Sequence, residues 1–275
     1  MNLHKSKIDW CTHTWNPVTG CLHGCDYCYA KRFIARFEPH ACEMVLPEPL
    51  EFLPKGSGCF IIDEPSKLYD ENVNYLRSTP YPKGFAPTFH GYAMDYPTKR
   101  RIPSRVFVSS MGDLFGAWVP AAWIYEVFSE CLKAPQHTYL FLTKNPQRYQ
   151  ELAAAGKLPQ EDNFWYGSTV TGPDEPFWWS EKHNTYVSIE PLLKPFEEVG
   201  ADAVKKVGWV IIGAMTGPGS KFRQPRPEWV QAIVNDAQSA GVPVFMKDNL
   251  KKVYGDNLLR EHPEGMVWPE EGHRW

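Results

Sequence analysis

The stretch Cys21-Leu-His-Gly-Cys25-Asp-Tyr-Cys28 decides how this chain is read. It carries three cysteines at C-x3-C-x2-C spacing, with an aromatic residue just before the third. A loop this short wraps one corner of an iron–sulfur cube and offers three thiolates to four irons. The fourth iron is left without a protein ligand, and an open metal position is where chemistry takes place. Thiolates are the soft ligands that such a cluster requires. Zinc is the competing reading, because it also uses C-x2-C pairs, and His13 or His23 would close a purely structural site. Zinc ribbons, however, pair two such knuckles, and this sequence has a single one.

Working outward, 275 residues suit one large domain with a well-buried core, and an α/β barrel of this length is ordinary. A net charge of -3 supplies no global field for polyanions, although local basic patches remain open. The first ten residues lack an apolar h-region, and no apolar run approaches membrane-spanning length. The expectation is a cytoplasmic protein with no membrane partner, in a compartment where thiols stay reduced. Seven cysteines are an odd number. Cys11, Cys42, Cys59 and Cys131 lie at spacings that match no second cluster and read as small buried hydrophobes. Eleven tryptophans and 25 prolines imply long, aromatic-rich connections rather than disorder.

After about residue 104 short apolar runs alternate with amphipathic stretches. Arg105-Val-Phe-Val-Ser109, Thr138-Tyr-Leu-Phe-Leu-Thr143, Trp165-Tyr-Gly-Ser-Thr-Val170, Thr185-Tyr-Val-Ser-Ile189, Trp209-Val-Ile-Ile212 and Val242-Pro-Val-Phe-Met246 read as strands of a buried parallel sheet. Helices are expected over residues 121–133, 146–155 and 227–240, the last two opening on proline and stopping at glycine. Such alternation implies right-handed βαβ units. A first strand over residues 11–15 would feed the cysteine loop, and residues 31–37 would form the helix after it. Residues 38–104 break the rhythm and read as an irregular insertion or lid, with short helical pieces such as 66–76.

Beyond the cysteine loop, several segments together resemble one family. They are Thr14-Trp-Asn-Pro-Val-Thr-Gly-Cys21, Val108-Ser-Ser-Met-Gly-Asp-Leu-Phe115, Pro135-Gln-His-Thr-Tyr-Leu-Phe-Leu-Thr-Lys144, Ser188-Ile-Glu-Pro-Leu-Leu193, Ile212-Gly-Ala-Met-Thr-Gly-Pro-Gly219 and Phe245-Met-Lys-Asp-Asn249. The family is that of the phage- and archaeal-type radical S-adenosylmethionine (SAM) proteins of unknown function. The likeness spans both ends and nearly everything after Pro87, whereas residues 38–80 have no counterpart in it. It implies a single radical SAM domain over residues 1–275, an α/β fold of the partial (βα)6-type radical SAM barrel, and the spore-photoproduct-lyase-like branch of the superfamily. Cys21, Cys25 and Cys28 would hold a [4Fe–4S] cluster at the carboxyl ends of the strands. Tyr27 would lie beside the SAM adenine, Ser110 and Asp113 near its amino group or the surroundings of that group, Lys144 against its carboxylate, and Thr169 against carboxylate or ribose. Two departures stand out: many relatives have an acid where Thr171 stands and Gly-Glu where Ala214-Met215 stands. Those acids are missing here, so a substrate role resting on them does not carry over and a different substrate is open.

Taken without the family, Asp113, Lys144, Thr169, Glu190 and Lys247 all fall at or just past predicted strand ends, where barrel enzymes place function. Glu190, before Pro191, is the candidate catalytic residue, as a hydrogen-bond acceptor or proton-transfer group. Lys247-Asp248-Asn249 would contact substrate or close the barrel with an internal ion pair. Thr216-Gly-Pro-Gly-Ser220 lacks the glycine-lysine pattern of a P-loop and reads as a turn. Basic residues at Lys31-Arg32, Lys99-Arg100-Arg101 with Arg105, Lys205-Lys206, and Arg223 with Arg226 have aromatics near some of them, at Phe89, Tyr92 and Tyr96. That mixture suits nucleic acid, with ordinary solvated charge as the alternative.

The reading is therefore a radical SAM enzyme that reductively cleaves SAM to a 5′-deoxyadenosyl radical, which takes hydrogen from an unknown substrate. Nucleic acid or nucleotide is the first substrate candidate, with a modified protein or small metabolite as competitor. An electron donor such as flavodoxin or ferredoxin is the expected partner. The rivals are an iron–sulfur, SAM-binding regulator without radical turnover and a zinc-stapled structural protein.

Overall fold

A computed structural model describes residues 3–37, 51–53, 58–69, 72, 74–81, 83–196 and 201–266. The chain opens with β1 (His4–Lys5), β2 (His13–Trp15), β3 (Val18–Thr19) and α1 (Tyr29–Phe37). The next segment holds β4 (Glu51–Leu53), β5 (Cys59–Ile62), β6 (Ser66–Tyr69), β7 (Tyr75–Thr79), β8 (Thr88–His90) and α2 (Tyr96–Lys99). The remainder alternates as β9 (Arg105–Val108), α3 (Ala121–Leu132), β10 (Thr138–Thr143), α4 (Gln147–Ala154), β11 (Phe164–Val170), β12 (Asn184–Ile189), α5 (Ala201–Lys206), β13 (Val210–Ile212), α6 (Pro227–Ser239), β14 (Val244–Met246) and α7 (Lys251–Tyr254).

The result is a mixed α/β protein with a large parallel sheet. Its strands run in the order β1-β2-β9-β10-β11-β12-β13-β14. The β1–β2 pair is antiparallel and every later pair is parallel. Beyond β1 the order follows the chain without reversal, so each crossover steps the same way. Right-handed crossovers then put the helices on one face. The predicted strands and long helices appear within a residue or two of their expected bounds.

Alternation along each strand divides the core in two. Val106, Val108, Tyr139, Phe141, Phe164 and Tyr166 face the helix side, packed with Trp123, Ile124, Val127 and Phe128 of α3 and Tyr149 of α4. The intervening residues Phe107, Leu140, Trp165, Tyr186, Ile211 and Phe245 face the other side, where Trp10, Trp209 and Met266 join them. Farther along that inner face, toward the strands' carboxyl ends, the period brings Thr169, Ser188 and Glu190 into line. Burial on both faces is what makes the strands read as continuous apolar runs.

Two expectations about the insertion are overturned. The helix expected over residues 66–76 is replaced among the described residues by β6 and β7, which pair antiparallel. Their Tyr and Thr content favours strand, and Asn72 and Asn74 supply turn-forming side chains between them. Nor is the segment irregular throughout, because β8 and β5 join β3 in a second sheet of order β3-β8-β5-β4. Residues 38–50, including Cys42, lie outside the described residues. Among the described residues no helix is long and apolar enough to cross a membrane.

Candidate functional site

The cysteine loop begins where both sheets meet. β3 pairs with β8, and the next residue, Gly20, bridges to Gly112 after β9. Gly20 has φ +81°, and a Cβ there would lie 2.2 Å from the Ala86 carbonyl oxygen. Only glycine satisfies both the left-handed backbone and the close approach. Cys21 N then donates to Phe85 O at 3.2 Å, which fixes the loop to the insertion. Cys21, Cys25 and Cys28 are half-buried and line one cavity of about 200 Å³, together with Leu22, Gly24, Lys31 and Phe85. Burial pushes the Cys21 thiol up to about 12, with the nearby charges of Asp113, Cys28 and Cys25 adding to the rise. In the metal-free loop Cys21 is therefore a neutral thiol, and a metal is what would draw off its proton.

The turn after β9 forms the bed of this loop. Ser109 enters it with φ +58°, unusual for a residue with a side chain, and donates its N–H to Trp15 O at 2.7 Å. Asn16 Oδ1 accepts from Ser110 Oγ at 3.1 Å and from Met111 N at 2.9 Å. The Tyr29 hydroxyl, one residue past Cys28, donates to Ser110 O. Asp113 is 5% exposed, and its Oδ2 accepts from His23 Nε2 at 2.7 Å, Thr143 Oγ1 at 2.9 Å and Lys144 N at 3.0 Å. Its Oδ1 accepts from Phe115 N at 3.0 Å.

Lys144, just past β10, donates from Nζ to the Tyr27 hydroxyl at 2.7 Å and sits 5.0 Å from the centre of that ring. Burial holds the Tyr27 phenol above its ordinary pKa and so neutral. Thr169 is half-buried and pairs in register with Ser188. Glu190 Oε1 meets Lys247 Nζ at 2.5 Å and Asn249 Nδ2 at 3.4 Å. Asn249 in turn grips the backbone of Ala214 at both N and O, each at 2.9 Å. Lys247 therefore takes the internal ion-pair role. A Cβ at Gly213 would lie 2.9 Å from Glu190 Oε1, so a small residue there makes room for the carboxylate.

The structure thus gathers Cys21, Cys25, Cys28, Tyr27, Ser110, Asp113 and Lys144 into one bonded neighbourhood and puts Thr169 and Glu190 farther round the inner face. Sequence reasoning overlooked His23 as a partner of Asp113, and it overlooked Asn16, Tyr29 and Phe85. Tyr29 was signalled by its place next to Cys28; the other three depend on folding. His13, considered above as a zinc ligand, lies at the start of β2, the end away from the cysteine loop. The mixed basic and aromatic patch also needs correction. Arg105 is buried against His262, and Phe89 and Tyr96 belong to the core. Side chains on strands and helices that carry the apolar packing are not available to a polyanion.

The chain belongs to the family described as "Protein of unknown function (DUF5131)", which matches residues 5–257. No curated protein matches it. Solved structures similar to it include three of spore photoproduct lyase. A cysteine-to-serine variant gives TM-score 0.42 at 10% identity, covering 87% of this chain and 64% of that one. A doubly substituted form with bound AdoMet and dinucleoside spore photoproduct gives 0.44 at 9% identity, covering 85% and 64%. A tyrosine-to-phenylalanine variant gives 0.44 at 9%, covering 92% and 77%.

Proposed function

We propose that this protein is a radical SAM enzyme in which Cys21, Cys25 and Cys28 hold a [4Fe–4S] cluster and SAM occupies the open iron. One observation carries the reading. The three cysteines of the C-x3-C-x2-C motif line a single cavity at the carboxyl ends of parallel strands, beside the Lys144–Tyr27 pair. The donor set fits a cluster corner better than zinc. Three cysteines and no His, Asp or Glu line the cavity, which matches three thiolates on a cluster corner, whereas a structural zinc site needs four protein ligands. The one-way strand order supports a partial barrel.

A cluster held by Cys21, Cys25 and Cys28 would supply one-electron reductive cleavage of SAM. The protein's part is to bind and orient. Lys144 is an ammonium suited to the SAM carboxylate through a charge-assisted bond, with Thr169 as a second polar contact. Tyr27 offers a neutral aromatic surface to the adenine. Leu22 and Phe85 present apolar walls to the cysteine cavity and limit water there. Glu190, braced by Lys247, accepts a hydrogen bond or moves a proton on the substrate. The reductant is a flavodoxin- or ferredoxin-type donor. The substrate is a nucleic acid or nucleotide, on the strength of family resemblance.

The test is anaerobic reconstitution with iron and sulfide, followed by dithionite and SAM, with 5′-deoxyadenosine followed by mass spectrometry. Its formation supports the radical class. A reducible cluster that yields no deoxyadenosine, even with nucleotide substrates, turns the assignment to a regulator, and binding of zinc alone overturns it.

A further inference from the structure

We propose that Asp113 is a positioning residue that latches the cysteine loop, through His23, to the strand end that bears Lys144. Family resemblance puts Asp113 near the SAM amino group. Its hydrogen bonds point elsewhere. Three donors from two segments converge on Oδ2 and a fourth engages Oδ1. A carboxylate oxygen has about two lone pairs, so Oδ2 is saturated by protein. Because a carboxylate only accepts, the His23 Nε2 must carry the proton in this bond. The latch spans 90 residues of sequence at 2.7 Å, and its other arm holds the backbone N of Lys144. One buried carboxylate therefore sets the distance between the three cysteines and the ammonium proposed to receive SAM. The Gly20 N–H, donating to Met111 O, and the Tyr29 hydroxyl, donating to Ser110 O, fix the loop's two ends, and His23 fixes its middle. The consequence for SAM rests on the radical SAM reading, but the latch itself does not.

The experiment starts with the cluster-free full-length chain. Iodoacetamide alkylation of Cys21, Cys25 and Cys28 is followed residue by residue by mass spectrometry. Asp113→Asn keeps the volume but turns N–H groups toward donors, and His23→Ala removes the other half of the latch. Each should speed alkylation of the loop about tenfold, the opening expected when a charge-assisted hydrogen bond is lost. The double variant should be no faster than Asp113→Asn alone, because the His23 bond is already lost in that single variant. His23→Gln, whose amide donates in place of the imidazole, should restore slow alkylation. If Asp113→Asn does not fold by circular dichroism, the His23 pair carries the test alone. Unchanged rates in His23→Ala, no rescue by His23→Gln, or additive single effects would each overturn the latch. So would weaker SAM binding by reconstituted Asp113→Asn with alkylation unaltered, since Asp113 would then touch the ligand directly. Failure to form deoxyadenosine in the wild type sinks the cofactor reading and leaves the alkylation result standing.

Discussion

At the scale of single residues the site separates groups that would hold a ligand from groups that hold other groups. Cys25 is among the first kind. Cys25→Ala should abolish iron loading and with it SAM cleavage, read by iron content and deoxyadenosine yield; full cleavage by that variant would remove the cluster assignment. Lys144 is the second test. Losing one charge-assisted bond is worth roughly 1.5–3 kcal/mol, so Lys144→Ala should weaken SAM binding by about tenfold or more while the cluster's absorption spectrum stays the same. An unchanged affinity, measured by equilibrium dialysis, would take Lys144 out of the site. Tyr27 keeps a neutral phenol against that ammonium, so the Lys144 charge is not cancelled by its nearest partner.

At the scale of elements, the second sheet has a clear task. β8 pairs with β3, Ala86 crowds Gly20, and Phe85 accepts from the first cysteine's N–H. The insertion is therefore part of the cysteine loop's foundation. Gly20→Ala should cost at least about 2 kcal/mol in urea unfolding, combining a strained φ with a clash against backbone. Gly24 has φ +71° with nothing within 4 Å of a built Cβ. Gly24→Ala should cost only about 1 kcal/mol, the conformational part alone. Equal losses at the two positions would show that close approach is not what requires Gly20. His90, on β8, bonds through Nε2 to Thr19 Oγ1 at 2.9 Å, and burial lowers its pKa to about 3. The unfolded chain's imidazole protonates near 6.5. Between these values the unfolded state binds the extra proton, so stability is full above about pH 6.5 and falls as pH drops toward 3. His262, also lowered to about 3 by burial and then by Arg105 and Arg260, acts in the same direction. Melting temperatures across this range should fall less steeply for His90→Gln; an identical slope would mean that His90 is not held neutral.

At the scale of the whole molecule, the parallel sheet carries polar groups at one end and a buried cluster of Trp10, Trp165, Trp209 and Phe245 on the face opposite its helices. The Glu190–Lys247 pair ties β12 to β14 across β13, over 57 residues of sequence. Both side chains are more than two-thirds buried, at 28% and 17% exposed. Glu190→Gln should cost about 2 kcal/mol, less than a fully buried pair because solvent still reaches it, and Lys247→Met in the same chain should recover part of the loss. Urea unfolding of the single and double variants measures this. Additive losses would mean that the two groups do not share a bond. The same exchange separates stability from chemistry: a Glu190→Gln protein that folds, binds SAM and still turns over substrate at the wild-type rate would end Glu190's proposed role.

The sequence by itself determined what local chemistry and burial dictate. Cysteine spacing is a property of eight consecutive residues, and a strand buried on both faces must be apolar along its length, so the three-cysteine loop and the parallel sheet were both legible. The helix expected over residues 66–76 failed because a short run with mixed polarity takes its conformation from the partner it meets, here β7 against β6. Only the tertiary structure decided which polar groups meet. Asp113 with His23, Glu190 with Lys247, and Gly20 with Ala86 are joined by strand register and by two sheets converging on one loop. Such contacts leave no periodic trace in the chain, because a hydrogen bond constrains two distant positions to complementary chemistry and says nothing about the residues between them.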